Sequence, residues 1–440
     1  MDISCKSLWK TSLPIFSFLL IENIMAFMDT AFLGRVNESQ LAAAAIAGLF
    51  YVSVFIVGFG FSVGAQIMIS HANGAREYSK IGGVWTTALG VLVVMAFVSL
   101  AASAFFGEAI FSKMVSEPDV LNDVLRYMKW RQIGFIPIFC IVAFRAFYVG
   151  IADTRVLAYS SLTMGAVNGV LNYALIFGKW GFPEMQIEGA ALASTLSEFA
   201  ALGLFVAWTY CGGYSRKFGL RFSCASAETV RKIFSLSVWT MAQQFVYVGM
   251  WLLLFAYFEK FGRHELAQSN IFKSILMFLY MPMYAFGATM NTVAGTLAGE
   301  GRQGEVPKAC ARIIGLEYAL TLPALAVVAL LPDVFLLLYT DSAEILEGAH
   351  FPFYCALFTV PFSIPAITLS NVMLGLEKTR ATFVIEFSLL FLYFGGILFT
   401  VYVLRSFGAT WTLDAWYWLV VAAADIYYIK RRRLFEAVEK

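Results

Sequence analysis

The first apolar segment of the chain carries two carboxyl side chains. Glu22 and Asp29 are seven residues apart in the run from Leu13 to Leu33. Seven residues make two helical turns, so both side chains lie on one face of a helix. A carboxylate within a membrane is costly unless it faces a cavity or a partner. We predict that Asp29, with Glu22, binds a proton; the alternative for Asp29 is a hydrated carboxylate at a helix end.

Two later apolar segments carry further polar residues at helical spacing. Asn168 and Asn172 are one turn apart, and Ser194, Thr195 and Glu198 cluster on the following segment. We expect these residues to join the two acids of the first segment in one hydrogen-bonded, cation-binding cluster. The alternative is polar packing between membrane helices without any ligand.

The second half of the chain has fewer candidates. Gln243, Gln244 and Tyr247 can share a helix face, and they are candidates for lining a substrate cavity together with Lys273. We expect Lys273 to pair with a carboxylate. Two acids of late apolar segments are Glu386 and Asp425.

Arg145 and Pro14 have simpler interpretations. We expect Arg145 to extend its charged end to the membrane interface. Pro14 is predicted to lie in the first turn of the first helix, where proline is tolerated, and it is a candidate hinge.

The composition is that of a membrane protein. Hydrophobic residues make up 60% of the 440 residues and charged residues 14%, against roughly 45–50% and 25% in soluble domains. So few charges cannot cover a water-exposed surface, and we expect membrane lipid as a partner. A net charge of +2 gives no indication of nucleic-acid binding.

Twelve apolar segments are long enough to span a bilayer, which takes roughly 20 residues each. We therefore predict an all-α integral membrane protein. The segments are Leu13–Leu33, Ala43–Ser70, Ile81–Phe106, Trp130–Val149, Val156–Phe177, Ile187–Cys211, Ile233–Phe258, Ser269–Leu297, Cys310–Leu331, Tyr354–Leu374, Ala381–Leu404 and Trp411–Ile429.

Lysine and arginine favour alternate connections between these segments by roughly two to one. The richer set includes Arg221 and Lys440. Because this set surrounds both ends of the chain, we predict a multi-pass protein of the plasma membrane with both termini in the cytoplasm.

The chain repeats itself. Gly150-Ile-Ala-Asp-Thr154-Arg155 recurs 225 positions later as Gly375-Leu-Glu-Lys-Thr379-Arg380, and Ser12 meets Ser237 at the same offset. Two six-helix repeats with an even number of helices enter the membrane in parallel orientation, and transporters often bind their substrate between such halves. We predict alternating access. The predicted parts are the N-terminal lobe 1–211, a cytoplasmic linker 212–232, and the C-terminal lobe with its basic tail, 233–440.

Metal and cofactor chemistry has no support in the sequence. The six cysteines form no C-x-x-C pair, and the three histidines lie far apart in predicted connections. We expect no metal, no cofactor and no enzymatic activity.

The motifs resemble those of multidrug and toxic compound extrusion (MATE) transporters, of the MOP superfamily, from about Leu13 to Ile429. The matching runs are Leu13-Pro14, Phe27-Met-Asp-Thr-Ala-Phe-Leu-Gly34, Leu41-Ala-Ala-Ala-Ala-Ile-Ala47, Arg145-x-x-x-x-Gly150-x-x-x-Thr154-Arg155, Asn168-x-x-x-Asn172-Tyr173 and Gly189-Ala-Ala-Leu-Ala-Ser194.

The resemblance implies a V-shaped transporter that exports amphipathic, often cationic organic compounds against inward flow of H⁺ or Na⁺. The family's first-helix aspartate maps onto Asp29. The DinF-like branch adds an Asn and an Asp on helix five and a Thr on helix six, where this chain has Asn168, Asn172 and Ser194. The NorM-like branch has acids on helices seven and ten, which this chain lacks, so we favour H⁺ over Na⁺.

The alternative function is a flippase of lipid-linked oligosaccharides or other polyprenyl-lipid precursors, which related folds perform. Such a cavity needs basic residues facing inward, and within the predicted helices only Arg145 and Lys273 are available. We expect small organic substrates, no nucleic acid and a monomer. The sequence leaves the individual substrate open.

Overall fold

The structure is a computed structural model that describes residues 1–220, 226–340 and 342–435. Within these ranges all regular secondary structure is helical. The predicted all-α class is therefore confirmed. The centre of the predicted linker 212–232, including Arg221, and the final residue Lys440 lie outside the described residues.

Twelve long helical stretches, labelled α1 to α12 in chain order, match the twelve predicted segments. They are Cys5–Leu33, Glu38–Gly74, Tyr78–Met114, Pro118–Gly150, Arg155–Ile176, Ile187–Cys211, Ala227–Phe258, Arg263–Gly299, Val306–Leu330, His350–Gly375, Thr379–Leu404 and Phe407–Arg431. Ten have the length and hydropathy of a membrane span, and α5 and α12 are the two more polar members. Short helices cover Tyr214–Phe218, Pro332–Leu337 and Ala343–Leu346.

Helix α1 begins earlier than the hydropathy pattern predicts. It starts at Cys5 instead of Leu13, because the residues around Lys6 and Lys10 continue the helix although they are not apolar. Pro14 is consequently inside the helix, and its predicted place in the first turn is wrong. A proline inside a helix removes one backbone hydrogen bond and weakens the helix locally.

Helix α4 is broken in its middle. An α-helix over Pro118–Arg131 is followed by a 3₁₀ turn at Gln132–Gly134 and a second α-helix over Phe135–Gly150. In its most apolar stretch 83% of the residues are buried, against 22% in α2 and in α3. Since α4 faces protein more than lipid, it can hold charged side chains that a lipid-facing helix cannot.

The chain forms two compact units. One contains Ser17–Met241, and the other combines Met1–Phe16 with Ala242–Lys440. The chain thus passes from one unit to the other within α1 and again within α7. Phe16 and Met241 are 225 positions apart, so both divisions fall at the same place in the repeat.

The repeat is visible in the packing of each unit. A Cβ atom at Gly150 would press on Ile69 and the carbonyl of Gln66, and one at Gly375 would clash with the carbonyl of Asn291. Gln66 and Asn291 are also 225 positions apart. Both units therefore need a glycine at the same close approach between helices.

The turn that follows each of these glycines has the same backbone conformation. Ala152 has φ 57° and Glu377 has φ 61°. Their backbone amides donate to the carbonyls of Val149 and Leu374, both at 3.0 Å. The repeated motif is thus a structural turn, and the predicted architecture of two six-helix repeats is confirmed.

Candidate functional site

Asp29, on α1, accepts hydrogen bonds from three side chains of the Ser17–Met241 unit. Asn172 Nδ2 lies 2.5 Å and Asn168 Nδ2 3.3 Å from Asp29 Oδ1, and Ser194 Oγ lies 3.0 Å from Oδ2. Helices α1, α5 and α6 thus meet at one carboxylate, as the spacing of these residues predicts.

The donors around Asp29 also bond to one another. Asn172 Nδ2 lies 3.0 Å from Asn168 Oδ1, and Asn168 Nδ2 lies 3.1 Å from Ser194 Oγ. Both asparagine side chains are fully buried. Within the described part of the chain, the Asp29 carboxylate is therefore bonded only to uncharged amide and hydroxyl groups.

Two glycines of α5 allow α1 to come close. A Cβ atom at Gly165 would touch Ile21, and one at Gly169 would meet Met28, the neighbour of Asp29. These glycines are four residues apart, a spacing at which small residues let membrane helices pack closely. The local sequence therefore brings the Asn168 and Asn172 amides within reach of Asp29.

Glu198 belongs to a separate group. Its carboxylate pairs with both terminal nitrogens of Arg131, at 2.6 and 3.0 Å, and accepts from the Tyr51 hydroxyl at 3.1 and 3.2 Å. The Arg131 guanidinium also lies 3.5 Å from the centre of the Tyr51 ring. The prediction of a single cluster is wrong, because Glu198 bonds to Arg131 instead of to the groups around Asp29.

The break in α4 makes room for this ion pair. A Cβ atom at Gly134 would overlap the Arg131 guanidinium and the Glu198 carboxylate. Sequence reasoning gave no role to Tyr51 or Arg131. The available signal was an arginine in an apolar segment, which calls for an acid on a neighbouring helix.

Thr195 and Glu22 lie beside these groups. Thr195 Oγ1 donates to the backbone carbonyl of Trp130 at 3.2 Å, which fixes α6 against α4. Glu22 is half-buried and interacts electrostatically with Arg145. Glu22 thus has a basic residue near it.

Arg145 does not extend to the membrane interface. It is 5% exposed, and its guanidinium lies 4.5 Å from the centre of the Phe59 ring. The predicted interfacial position is therefore wrong. The Glu22 charge and the aromatic face provide the favourable interactions that the interface would otherwise supply.

In the unit that combines Met1–Phe16 with Ala242–Lys440, called the second unit from here on, Gln243 and Tyr247 contact a carboxylate. Gln243 Nε2 lies 2.5 Å and the Tyr247 hydroxyl 2.8 Å from Glu386 Oε2. Gln244, one residue further round α7, takes no part in these two bonds. The predicted shared face holds for Gln243 and Tyr247, and the acid that they bind is on α11.

Lys273 lies against aromatic rings. Its ammonium is 5.2 Å from the centre of the Trp251 ring and 5.0 Å from that of Phe255. Among the described residues it forms no ion pair with a carboxylate, so that prediction is wrong. Cation–π contacts of this kind can hold a lysine without an acid.

These features define a multi-pass helical membrane protein with two repeated units and buried acids. A model of the MatE family matches residues 14–174 and again 240–396. The chain therefore belongs to the MatE family of transporters, and the two matches start almost one repeat apart.

Relatives with the same description occur in several bacteria. The "Probable multidrug resistance protein NorM" of Thermotoga maritima is 24% identical over 390 residues, which covers 87% of this chain and 82% of that protein. The protein of the same description in Haemophilus ducreyi is 23% identical over 434 residues, covering 95% and 90%.

Solved structures share the fold. A multidrug resistance MATE family transporter of the MOP superfamily, in an outward-facing conformation, has a TM-score of 0.90 at 16% identity, covering 98% of this chain and 96% of that one. A MOP superfamily transporter from Pyrococcus furiosus has a TM-score of 0.89 at 16% identity with the same coverage.

The Arg131–Glu198 pair yields a stability prediction. Arg131→Met leaves Glu198 buried without its counter-charge, and we expect a loss of about 3–5 kcal/mol. Removing both charges, with Arg131→Met and Glu198→Met together, should recover most of that loss. Thermal unfolding in detergent, followed by tryptophan fluorescence, measures both variants. A double variant no more stable than Arg131→Met would contradict the assignment.

Proposed function

We propose that this chain is a secondary transporter that exports small amphipathic or cationic organic compounds across the plasma membrane. Inward movement of H⁺ drives export, and both termini lie in the cytoplasm. Family membership and the multidrug resistance description of the relatives support the substrate class. The observation that carries the proton coupling is the set of uncharged partners around Asp29.

Among the helix acids Glu22, Asp29 and Glu198 of the Ser17–Met241 unit, Asp29 is favoured as the proton acceptor. Glu198 is neutralised by a two-point bond to Arg131, and Glu22 has Arg145 nearby. Arg131 also acts on Asp29 electrostatically, but its terminal nitrogens bond to Glu198. A buried carboxylate without a bonded counter-charge gains most from taking up a proton.

The hydrogen bonds around Asp29 can exist in two patterns. With Asp29 ionised, Asn172 donates through Nδ2, and its Oδ1 is a buried acceptor with no partner among the described residues. A protonated Asp29 has a hydroxyl to donate. Rotation of the Asn172 amide would then bring Oδ1 towards that hydroxyl. Protonation therefore favours a different arrangement of α1 and α5.

Two such arrangements are what coupling requires. The ionised state favours bound substrate, and protonation from outside favours the state that releases it. Each ligand shifts the equilibrium only by its preference for one state. Since the linkage is reciprocal, substrate binding promotes release of the proton. Alternating access follows when the two states open to opposite sides of the membrane.

The chemistry around Asp29 favours H⁺ over Na⁺. Hard cations are bound by several oxygen ligands. Both asparagines, however, present amide N–H groups to Asp29, and Ser194 presents its hydroxyl as a donor. In the amide and hydroxyl orientations of this structure, these groups stabilise a carboxylate and disfavour a metal cation beside it.

The flippase alternative finds no support in the buried basic residues. Arg131 is bonded to Glu198, and Arg145 lies beside Glu22. Lys273 is held by aromatic rings. Arg131 and Lys273 are thus engaged, and Arg145 alone does not balance the charge of a pyrophosphate group, so we do not propose this function.

The substitution Asp29→Asn tests the coupling site. It keeps the shape of the side chain and removes the titratable group, so we expect proton-driven dye efflux in inside-out vesicles to fall to the level of vesicles without the protein. Asp119→Asn, at an exposed aspartate of α4, is the matched control and should transport normally. Efflux driven by a Na⁺ gradient alone, or unimpaired in Asp29→Asn, would contradict proton coupling at this residue.

Pro14 is proposed as the hinge of α1. It lies two residues before the position at which the chain passes between the units, and it leaves the carbonyl of Lys10 without a helical donor. We expect Pro14→Ala to slow dye efflux while substrate binding, measured by fluorescence polarisation, stays unchanged. Pro323→Ala, inside α9, is the control and should not slow efflux. Equal effects of the two substitutions would rule out a hinge specific to Pro14.

A further inference from the structure

The unit that contains Ala242–Lys440 has its own pair of buried acids. Glu386 on α11 is 3% exposed, and Asp425 on α12 is 0% exposed. Ser370 Oγ on α10 donates to Asp425 Oδ2 at 2.9 Å and also interacts with Glu386. The two carboxyl groups act on each other electrostatically. They therefore form one site and not two isolated acids.

Each carboxyl group has one bonded oxygen and one unbonded oxygen. Glu386 Oε2 accepts from Gln243 and Tyr247, whereas Glu386 Oε1 has no partner among the described residues. Asp425 Oδ1 is likewise without a partner in the described part of the chain. A buried acceptor without a donor is costly. A proton on one of these oxygens would supply a donor that the protein lacks.

The internal repeat shows how this unit differs from the other. Tyr247 and Ser370 stand 225 positions after Glu22 and Arg145. At these positions the Ser17–Met241 unit has an acid and a base, and the second unit has two uncharged hydroxyl groups.

Glu386 and Asp425 lie on α11 and α12, at neither of these two repeat positions. Within residues 1–220, 226–340 and 342–435, no Lys, Arg or His forms an ion pair with Glu386 or Asp425. Two like charges in a buried site cannot both be kept without a compensating positive charge.

We propose that Glu386 and Asp425 bind one proton between them, as a second proton-binding site in the unit that does not contain Asp29. The proton comes from water, adds to a carboxylate oxygen and returns to water. No other bond changes. The site goes beyond the proposed function, which uses Asp29 alone, and it rests on that function only for the direction in which the proton moves.

The groups that face this site agree with proton binding. Tyr247 and Gln243 face it from α7, Ser370 from α10 and Tyr417 from α12. The Tyr417 hydroxyl has no hydrogen-bond partner among the described residues, and it interacts electrostatically with both acids. All of these groups are uncharged side chains that can hydrogen-bond to a carboxyl group.

Tyr417 also connects the pair to a third acid. It interacts with Asp414, whose carboxylate accepts from the hydroxyl of Tyr393. Asp414, Tyr417 and Asp425 lie on one face of α12, since their separations of three and eight residues are close to whole turns. This face spans about 16 Å along the helix. Asp414 and Tyr417 are thus titratable groups on the same helix as Asp425.

The test is infrared spectroscopy of the full-length protein in lipid nanodiscs, in the Asp29→Asn background. The carbonyl stretch of a protonated carboxylic acid is followed as a function of pH. We expect a band that is lost in Glu386→Gln and lost or displaced in Asp425→Asn. Glu344→Gln, at an exposed acid of the same unit, should leave the band unchanged. Because Asp29 is absent, failure of the Asp29 mechanism does not affect this readout.

A second variant distinguishes a change at the site from misfolding of the protein. Tyr247→Phe adds and removes no acid, but it takes away one donor to Glu386, so it should displace the pH midpoint of the band while the protein stays folded. An unchanged band in correctly folded Glu386→Gln would overturn the proposal. Na⁺ binding by calorimetry that disappears in Glu386→Gln would also overturn it, since the pair would then be a metal-cation site.

Discussion

The cost of a charge inside a membrane governs this structure. With 14% charged residues, the chain still buries several acids and Arg145, and it leaves the side chain of Arg131 only 11% exposed. Each arginine of α4 lies beside an acid, and α4 is the helix most enclosed by protein in its unit. Among the described residues, the helix acids bonded to no basic side chain include Asp29 in one unit, and Glu317, Asp414 and the Glu386–Asp425 pair in the other. Because no basic side chain is bonded to these carboxylates, uptake of a proton is what can neutralise their negative charge.

The internal repeat supplies a scaffold that the two units use differently. Both have the same glycine at a close helix approach and the same turn after it. The polar groups do not follow this symmetry. At the repeat offset of 225 residues, Leu254 stands where the first unit has Asp29. Ser161 and Ala200 stand where the other unit has Glu386 and Asp425. A duplicated frame with unlike sites can give the two halves unlike responses to pH, which is useful to a transporter that must return to its starting state.

The sequence predicted the features that depend on hydropathy and spacing. Hydropathy and spacing predicted the twelve spans, the internal repeat, and the contact of Asp29 with Asn168 and Asn172. The sequence could not predict which acid pairs with which base, because helical spacing fixes a face but not the rotation of that face towards a neighbour. Ser194 and Glu198 are one turn apart, yet they bond to different partners. Helix α1 begins in a polar stretch before the apolar run, and the break in α4 lies inside an apolar run, so hydropathy marks neither feature.

Proton release on substrate binding tests the central claim most directly. Purified protein in weakly buffered detergent is mixed with a cationic dye, and the change in bulk pH is recorded for wild type and Asp29→Asn. The account predicts that binding to wild type releases protons, that dye affinity rises with pH, and that the variant loses the component due to Asp29. Dye binding without proton release, or equal release by both proteins, would contradict it.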